Sequence, residues 1–350
     1  MNRLARGVVL SIILGVVVVA GIILSSIVGQ LAITPAEVVG SLLRAVGIQN
    51  GWASNDPIIE STLWVVRFPR IVMGLAVGAA LAVAGAVMQA IFGNPLAEPG
   101  VVGVSSGAAL GAALAIVLGG AGVALFTSSW ATAILAFLGG LGATLLVYVV
   151  SRSNGRTEVV TLLLTGIAIN AFAGAGLAFL LFSANTASRE QIVFWQLGSM
   201  NGSRWQEVGI VVAVSIVGLV IALIISRRLD LLALGERSAR HLGINVEALR
   251  IGSIVLVALL TGVAVAFCGI IAFVGLVVPH IIRMAIGPSH RPLVLASAIG
   301  GGALLVVADL IARTVVPGAD LPIGMLTSLI GGPFFFFLLY RQRKRSGGWA

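Results

Sequence analysis

Charge is scarce in this sequence. Only 9% of its 350 residues are charged and 59% are hydrophobic, against roughly a quarter charged in soluble domains, so a water-soluble globular enzyme is excluded. Cysteine is nearly absent as well: Cys268 stands alone, which rules out a disulfide framework and a thiolate zinc cluster. Set in an apolar run, Cys268 reads as a small buried hydrophobe rather than a reactive thiol. Lysine occurs once, as Lys344 between Arg343 and Arg345, so no G-x-x-x-x-G-K-[ST] phosphate loop exists and the chain cannot hydrolyse ATP alone. His241, His280 and His290 are isolated, which excludes the H-E-x-x-H pair of a helical zinc protease. Paired acids and metal-ligand spacing are missing from the apolar runs, leaving an intramembrane enzyme little support, and the chain is expected to hold no cofactor or metal of its own.

What is present is apolar length and arginine. A formal net charge of +9 would suggest nucleic acid in a soluble chain, but twenty of the 21 basic residues are arginines in short gaps between apolar runs. They act there as orientation signals, and no nucleic-acid partner is expected. The apolar runs predict an all-α polytopic membrane protein with about ten transmembrane helices, at 8–28, 70–92, 101–118, 130–150, 159–182, 208–226, 249–271, 273–286, 292–313 and 322–340. The first run follows Arg3 and Arg6 and could be mistaken for a signal peptide, but its length of about 31 Å at 1.5 Å per residue suits a retained span. The eighth is too brief to cross alone and is expected to be tilted, broken or buried.

With the amino terminus in the cytoplasm, 15 basic residues fall inside and six outside, namely Arg44, Arg67, Arg70, Arg189, Arg204 and Arg313. That asymmetry puts both termini in the cytoplasm, and Trp52, Trp64, Trp130, Trp195 and Trp205 on the outer side, several at the interface.

Small residues recur at helix-packing spacing in Gly74 and Gly78, and in Gly103, Gly107 and Gly111. Gly78 and Gly85 in the second span are spaced like Gly262 and Gly269 in the seventh, and each pair precedes a proline, Pro95 or Pro279. Since these spans run in opposite directions, the match hints at an inverted repeat of spans two to five and seven to ten.

Few groups could carry chemistry. Asp309 lies well inside a span with Arg313 at i+4, and a paired, structural carboxylate is a more economical reading than a proton relay. The inner loop 227–250 alternates Leu231, Leu234 and Leu242 with charge, suiting two short helices broken at Gly235 and ended at Gly243. Leucines there would leave apolar surface in water, so the loop is expected to dock a cytoplasmic partner. On the outer side Arg67, Phe68, Pro69 and Arg70 form a basic corner before span two. A proline stiffens it, which suits either carboxylates of a partner or an anionic ligand, or else snorkelling to lipid headgroups. After span two, 93–100 holds two prolines and two glycines, an ordered non-helical link that is either a closure of a pathway or a plain tight connection.

Taken together the chain resembles the FecCD family, permease subunits of binding-protein-dependent ABC importers for iron-siderophore complexes, haem and cobalamin. The resemblance covers nearly the whole sequence. It is carried by Arg67-Phe-Pro-Arg70, Gly85 to Gln89, Asn94-Pro-Leu-Ala97 with Pro99, and Gly103-Val-Ser-Ser-Gly107. Further on come Trp195-Gln-Leu-Gly-Ser199, Leu234-Gly235 with Leu242-Gly243, and Phe273-Val-Gly-Leu276 with Pro279-His-Ile-Ile-Arg283. His290-Arg291, Asp309 with Arg313, and Leu321-Pro-Ile-Gly324 complete the set.

The resemblance implies one permease domain over 1–350 with an inverted-repeat ABC importer fold, in the inner (cytoplasmic) membrane. It further implies a second permease copy around a shared pathway, two cytoplasmic ATPases that carry the ATP and magnesium, and an extracytoplasmic substrate-binding protein. Arg67, Arg70 and Arg313 would meet acidic residues of that binding protein, and Asn94, Pro95 and Leu96 would lie at the cytoplasmic gate. Coupling helices within 231–243 would seat on the ATPase through Leu231, Leu234, Gly235, Glu236, Arg237, Leu242 and Gly243. His280 follows the family motif as a structural residue.

Three positions depart from the family pattern: Gly93 for an arginine, Ser289 for an aspartate and Asp320 for a glutamate. The turn around Trp195 and the segment 101–110 resemble the haem branch more than the cobalamin one. The expected function is therefore import of an iron chelate, haem ahead of ferric siderophores. The alternatives are a cobalamin importer or an ion-coupled secondary transporter with inverted repeats and Asp309 in its coupling site.

Overall fold

The computed structural model describes residues 3–153, 156–316 and 318–345. Those bounds refer to the backbone; of the fifteen basic residues assigned to the inner side, the side chains of seven, Arg3, Arg6, Arg156, Arg341, Arg343, Lys344 and Arg345, are not among those described. Each of the ten expected spans is a helix. The first half of the chain contributes α1 (Arg3–Ile27), α4 (Phe68–Phe92), α5 (Val104–Gly120), α6 (Ser129–Val150) and α7 (Val159–Ser183). The second contributes α9 (Trp205–Leu232), α11 (Val246–Cys268), α12 (Val274–Ile286), α13 (His290–Ala312) and α14 (Ile323–Arg345). Seven are long and apolar enough to cross a bilayer, while α5, α12 and the apolar part of α14 are shorter.

Four short helices were not expected as separate elements, or not at these positions: α2 (Pro35–Ala45), α3 (Pro57–Ser61), α8 (Thr186–Gln196) and α10 (Glu236–His241). Their sequences explain them. Thr34 and Glu37 close a reciprocal capping box on α2, and Asp56 and Asn185 cap α3 and α8 with their side-chain oxygens. A two-residue antiparallel hairpin, β1 (Arg152–Ser153) and β2 (Arg156–Thr157), joins α6 to α7.

Packing centres on α4, which is buried along nearly its whole length. Lipid tails are as apolar as leucine, so contact between such helices depends on how closely their backbones approach, and glycine sets that approach. A Cβ on Gly78 would come within 2.1 Å of Gly301 O in α13, and one on Gly85 within 1.8 Å of Gly275 O in α12. Gly107 and Gly111 of α5 press in the same way on α6, at Gly139 O and Leu135 O. The spacing by four marks Gly78, Gly107 and Gly111 as packing sites, while Gly85 stands out in the sequence only through the internal duplication.

The duplication is visible in which helices touch. Span two (α4) packs on spans eight and nine (α12 and α13), and span seven (α11) packs on spans three and four (α5 and α6). This is the exchange that an inverted repeat requires. Of the paired glycines, Gly262 follows the pattern, facing Phe137 of α6 as Gly78 faces α13. Gly269 does not, because it ends α11 with φ +69 and lies against Trp195 O of α8.

The eighth span is 13 residues, about 20 Å at 1.5 Å per residue, and one face of it is buried against α4 and α13 while Ile281 and Met284 are exposed. A non-helical stretch, 269–273, precedes it. Phe273 ends that stretch with φ +67, and among the described residues it is the one non-glycine residue with positive φ. Its amide donates to Glu98 Oε1 at 3.2 Å. Its ring fills the space over Gly331 of α14, where a Cβ would lie 2.3 Å from the ring.

Two expectations are corrected. The basic corner is no turn at the start of a helix: α3, a π-helical segment over Thr62–Arg67 and α4 follow one another without a break. Pro69 has no N–H to give the residue four back, and the wider π turn, closed by Phe68 N–H to Leu63 O, absorbs that loss inside a continuous helix. In the inner loop, the first of the two short helices is the end of α9. Leu229 and Leu232 stay buried there, the helix ends at Leu232, and a turn through Ala233 and Leu234 leads to Gly235, which takes φ +102.

Candidate functional site

At one end of the bundle three arginines converge on an open cavity of about 490 Å3, walled by the 29–31 segment, the π segment, Asn201 and the 313–320 loop. Arg67 is buried, and its guanidinium donates to the carbonyls of Ser26, Ile27 and Leu31, the Ile27 contact at 2.9 Å. The carbonyls of Ser26 and Ile27 belong to the unsatisfied last turn of α1, and that of Leu31 to the segment after it, so a cation is well placed there. Arg70 grips Asp309 twice, with Nε 2.8 Å and Nη2 2.8 Å from Oδ1, and gives Nη1 to Asp320 Oδ2 at 2.7 Å. Arg313 donates to the carbonyl and hydroxyl of Ser25, the carbonyl contact at 2.6 Å, and its Nε lies 3.6 Å from Asp309 Oδ2. Three guanidiniums against two carboxylates leave this cavity with a net charge of +1.

At the other end lies a second cavity of about 420 Å3, bounded by Gln89, Pro95, Leu232, Gly235, Glu236, Arg250, Arg283 and His290 among others. It joins the link after α4 to the α9–α10 knob. Gly93 closes α4 in a left-handed conformation (φ +59), and Asn94 Oδ1 accepts the Leu96 N–H at 2.9 Å, making the link the ordered turn its composition suggests. Gln89 ties α4 to α12, donating to Leu276 O at 3.1 Å and accepting from Arg283 Nη2 at 3.2 Å. Glu236 holds α10 to α11 through Arg250 at 2.5 Å and also pairs within α10 with Arg240 at 3.0 Å. Asp230 Oδ1 accepts both the backbone N–H of His290 at 2.8 Å and its ring Nδ1 at 2.7 Å, pinning the start of α13 to the end of α9. A carboxylate can only accept, so Nδ1 carries the ring proton. Beyond these anchors the knob leaves Leu234 64% and Leu242 57% exposed, with Arg237 and Gly243 also open to solvent and Leu231 half-buried.

Residues 15–341 match the model of the FecCD transport family. The chain belongs to the FecCD family. The hemin transport system permease protein of Yersinia pestis is 41% identical over 297 residues, 85% of this chain and 88% of that one. The cobalamin import system permease protein of Halobacterium salinarum is 40% identical over 306 residues, 87% of this chain and 80% of that one. Among solved structures, an inward-facing metal-chelate-type ABC transporter superposes with a TM-score of 0.81 at 32% identity, covering 94% of this chain and 97% of that one.

Within this FecCD fold the sequence-derived residues gather in three places. Arg67, Arg70 and Arg313 share the cavity of about 490 Å3, although 246 positions separate Arg67 from Arg313 in the sequence. Asn94, Pro95 and Leu96 form the link, and Leu231 to Gly243 form the knob beside it. Arg67, Arg70 and Arg313 are not free forks: each is already bonded within the chain, because a guanidinium largely withdrawn from water needs internal acceptors. Glu236 likewise spends its carboxylate inside the chain, on Arg250 and Arg240.

Asp309 is paired, as expected, but its principal partner is Arg70 of α4 and Arg313 is the looser one. With its side chain 3% exposed and gripped by two cations, it is a poor candidate for a proton relay. Sequence reasoning missed Asp320 as the second carboxylate, and also Asp230 and Arg250. The one signal for Asp320 was its place two residues before Pro322 in the family pattern.

Proposed function

We propose that this chain is the transmembrane permease of an ABC importer that carries an iron chelate, haem ahead of ferric siderophores, into the cytoplasm. It works as a dimer with a second copy of itself, an extracytoplasmic binding protein and two ATPases that bind ATP and magnesium. Both termini lie in the cytoplasm of a cell bounded by this inner membrane. One observation supports this reading above the rest: a cationic cavity at one end of an apolar bundle and an anchored knob with exposed leucines at the other. The surplus positive charge of the one and the exposed leucines of the other find no partner within the bundle, and the two ends suit an acidic protein outside and a grooved one inside.

The work is conformational. Binding of the loaded partner at the cavity and ATP turnover at the knob shift the populations of outward-open and inward-open states, and the link at Asn94, Pro95 and Leu96 closes the inner end. The chain supplies walls and levers and no catalytic group. Cobalamin import is the second reading, favoured by the 40% identity to the archaeal cobalamin permease. Competition between haem and cobalamin for uptake separates the two.

The docking assignment is tested with Arg67→Gln and Arg313→Gln together in the reconstituted complex. Glutamine keeps hydrogen-bond donors for the carbonyls of α1 while removing both charges. Stimulation of ATP turnover by the binding protein is expected to fall about tenfold or more, with turnover in its absence persisting. Undiminished stimulation would remove these residues from the docking surface.

A further inference from the structure

The two carboxylates of the outer cavity are held differently. Asp309 sits on α13 with its side chain 3% exposed and takes two donors of Arg70. Asp320 sits in the 313–322 connection between α13 and α14, 29% exposed, and takes only Arg70 Nη1, at 2.7 Å. Asp309 is therefore fixed by its helix and its burial, whereas Asp320 is a rim residue on a loop whose backbone is tied at the next residue by Leu321 N–H to Ala312 O. Arg67 spends its donors on carbonyls, and Arg313 spends Nη2 on Ser25. Nη1 of Arg70 is a donor through which the buried ion cluster meets the open cavity, and Asp320 occupies it.

We infer that Asp320 is an exchangeable internal counterion, a stand-in for the carboxylate of the docking protein, which must displace it to reach Arg70. The inference rests on the docking reading above. With Asp320 in place the cavity carries +1, and with Asp320 swung out it carries +2, so an arriving carboxylate competes with the chain's own. The two acids cannot share Nη1 without like-charge repulsion. Asp320 then lowers the affinity for any acidic surface and makes docking selective for a partner that presents carboxylates at the right spacing.

The test measures binding-protein affinity for the permease–ATPase complex in nanodiscs, with Asp320→Asn, Asp320→Glu and Arg67→Gln beside the natural protein. Asp320→Asn removes the competing charge at nearly constant shape and is expected to tighten binding about tenfold, with a steeper dependence on salt. Asp320→Glu keeps the charge and is expected to bind within about twofold of the natural protein. Arg67→Gln is expected to weaken binding. Should the asparagine variant fail to assemble, Asp320→Ser removes the same charge and carries the same expectation. If Arg67→Gln weakens binding while Asp320→Asn leaves it unchanged or weaker, docking stands and the exchange is wrong. Equal tightening by Asp320→Glu also overturns the exchange, since shape and not charge would be at work. If Arg67→Gln leaves affinity untouched, the docking reading falls first and takes the exchange with it.

Discussion

Asp309→Ala is expected to cost the solubilised permease about 3–5 kcal/mol, the usual penalty for stripping one partner from a buried ion pair. The size follows from what remains. Arg70 would lose both of its contacts to α13, and Arg313 its nearest carboxylate, leaving two buried guanidiniums with Asp320 as the sole acid. The loss is expected as a fall in the thermal unfolding midpoint and in the yield of dispersed protein. The companion variant Arg70→Met with Asp309→Leu removes both charges and is expected to recover most of the stability, because a buried pair contributes little net and its broken half contributes the damage. Recovery would separate a charge effect from a packing effect at α4 and α13. An unchanged midpoint in Asp309→Ala would mean that the pair is hydrated and dispensable.

Gly85→Val is expected to prevent assembly of the bundle. A Cβ at this position meets the carbonyl oxygen of Gly275 at 1.8 Å and its Cα at 2.6 Å, and backbone atoms cannot turn aside as a side-chain end can. The helices must separate, at a cost of about 3 kcal/mol or more by comparison with overpacked cores. The matching control is Gly142→Ala in α6, where nothing lies within 4 Å of the added Cβ. Relief of glycine's backbone entropy there is expected to give a neutral change or a gain of about 0.5–1 kcal/mol. Thermal unfolding in detergent, monitored by a dye or by loss of the monodisperse peak, reads both variants. A folded Gly85→Val with a natural midpoint would show that α4 and α12 do not cross as closely as described.

The fold was legible where a single physical signal decides an element. Ten apolar runs produced ten helices because, in lipid, a run of that length has no other way to satisfy its backbone. Gly78, Gly107 and Gly111 were legible for the same kind of reason, since spacing by four puts them on one face. What sequence could not supply was partnership between distant elements. Arg70 meets Asp309 across 239 positions and Gln89 meets Leu276 across 187, and no periodicity encodes such pairs. The i+4 rule drew attention to Arg313 as the partner of Asp309, whereas the tighter contact came from another helix. The basic corner was misplaced because Pro69 ordinarily marks the first turn of a helix, and a π segment that tolerates it leaves no trace in composition. The knob shows both sides. Its exposed Leu234 and Leu242 followed from leucines among charges, while the anchors beneath it, Glu236 to Arg250 and Asp230 to His290, needed the fold to bring them together.

Uptake of radiolabelled haem into proteoliposomes tests most directly whether this chain is a conduit driven by its partners. The complex of permease, ATPases and binding protein is expected to accumulate haem uphill only when ATP is present on the ATPase side, and to continue when ionophores collapse every ion gradient. Uphill uptake by the purified permease alone, lost on collapsing a proton or sodium gradient, would contradict it.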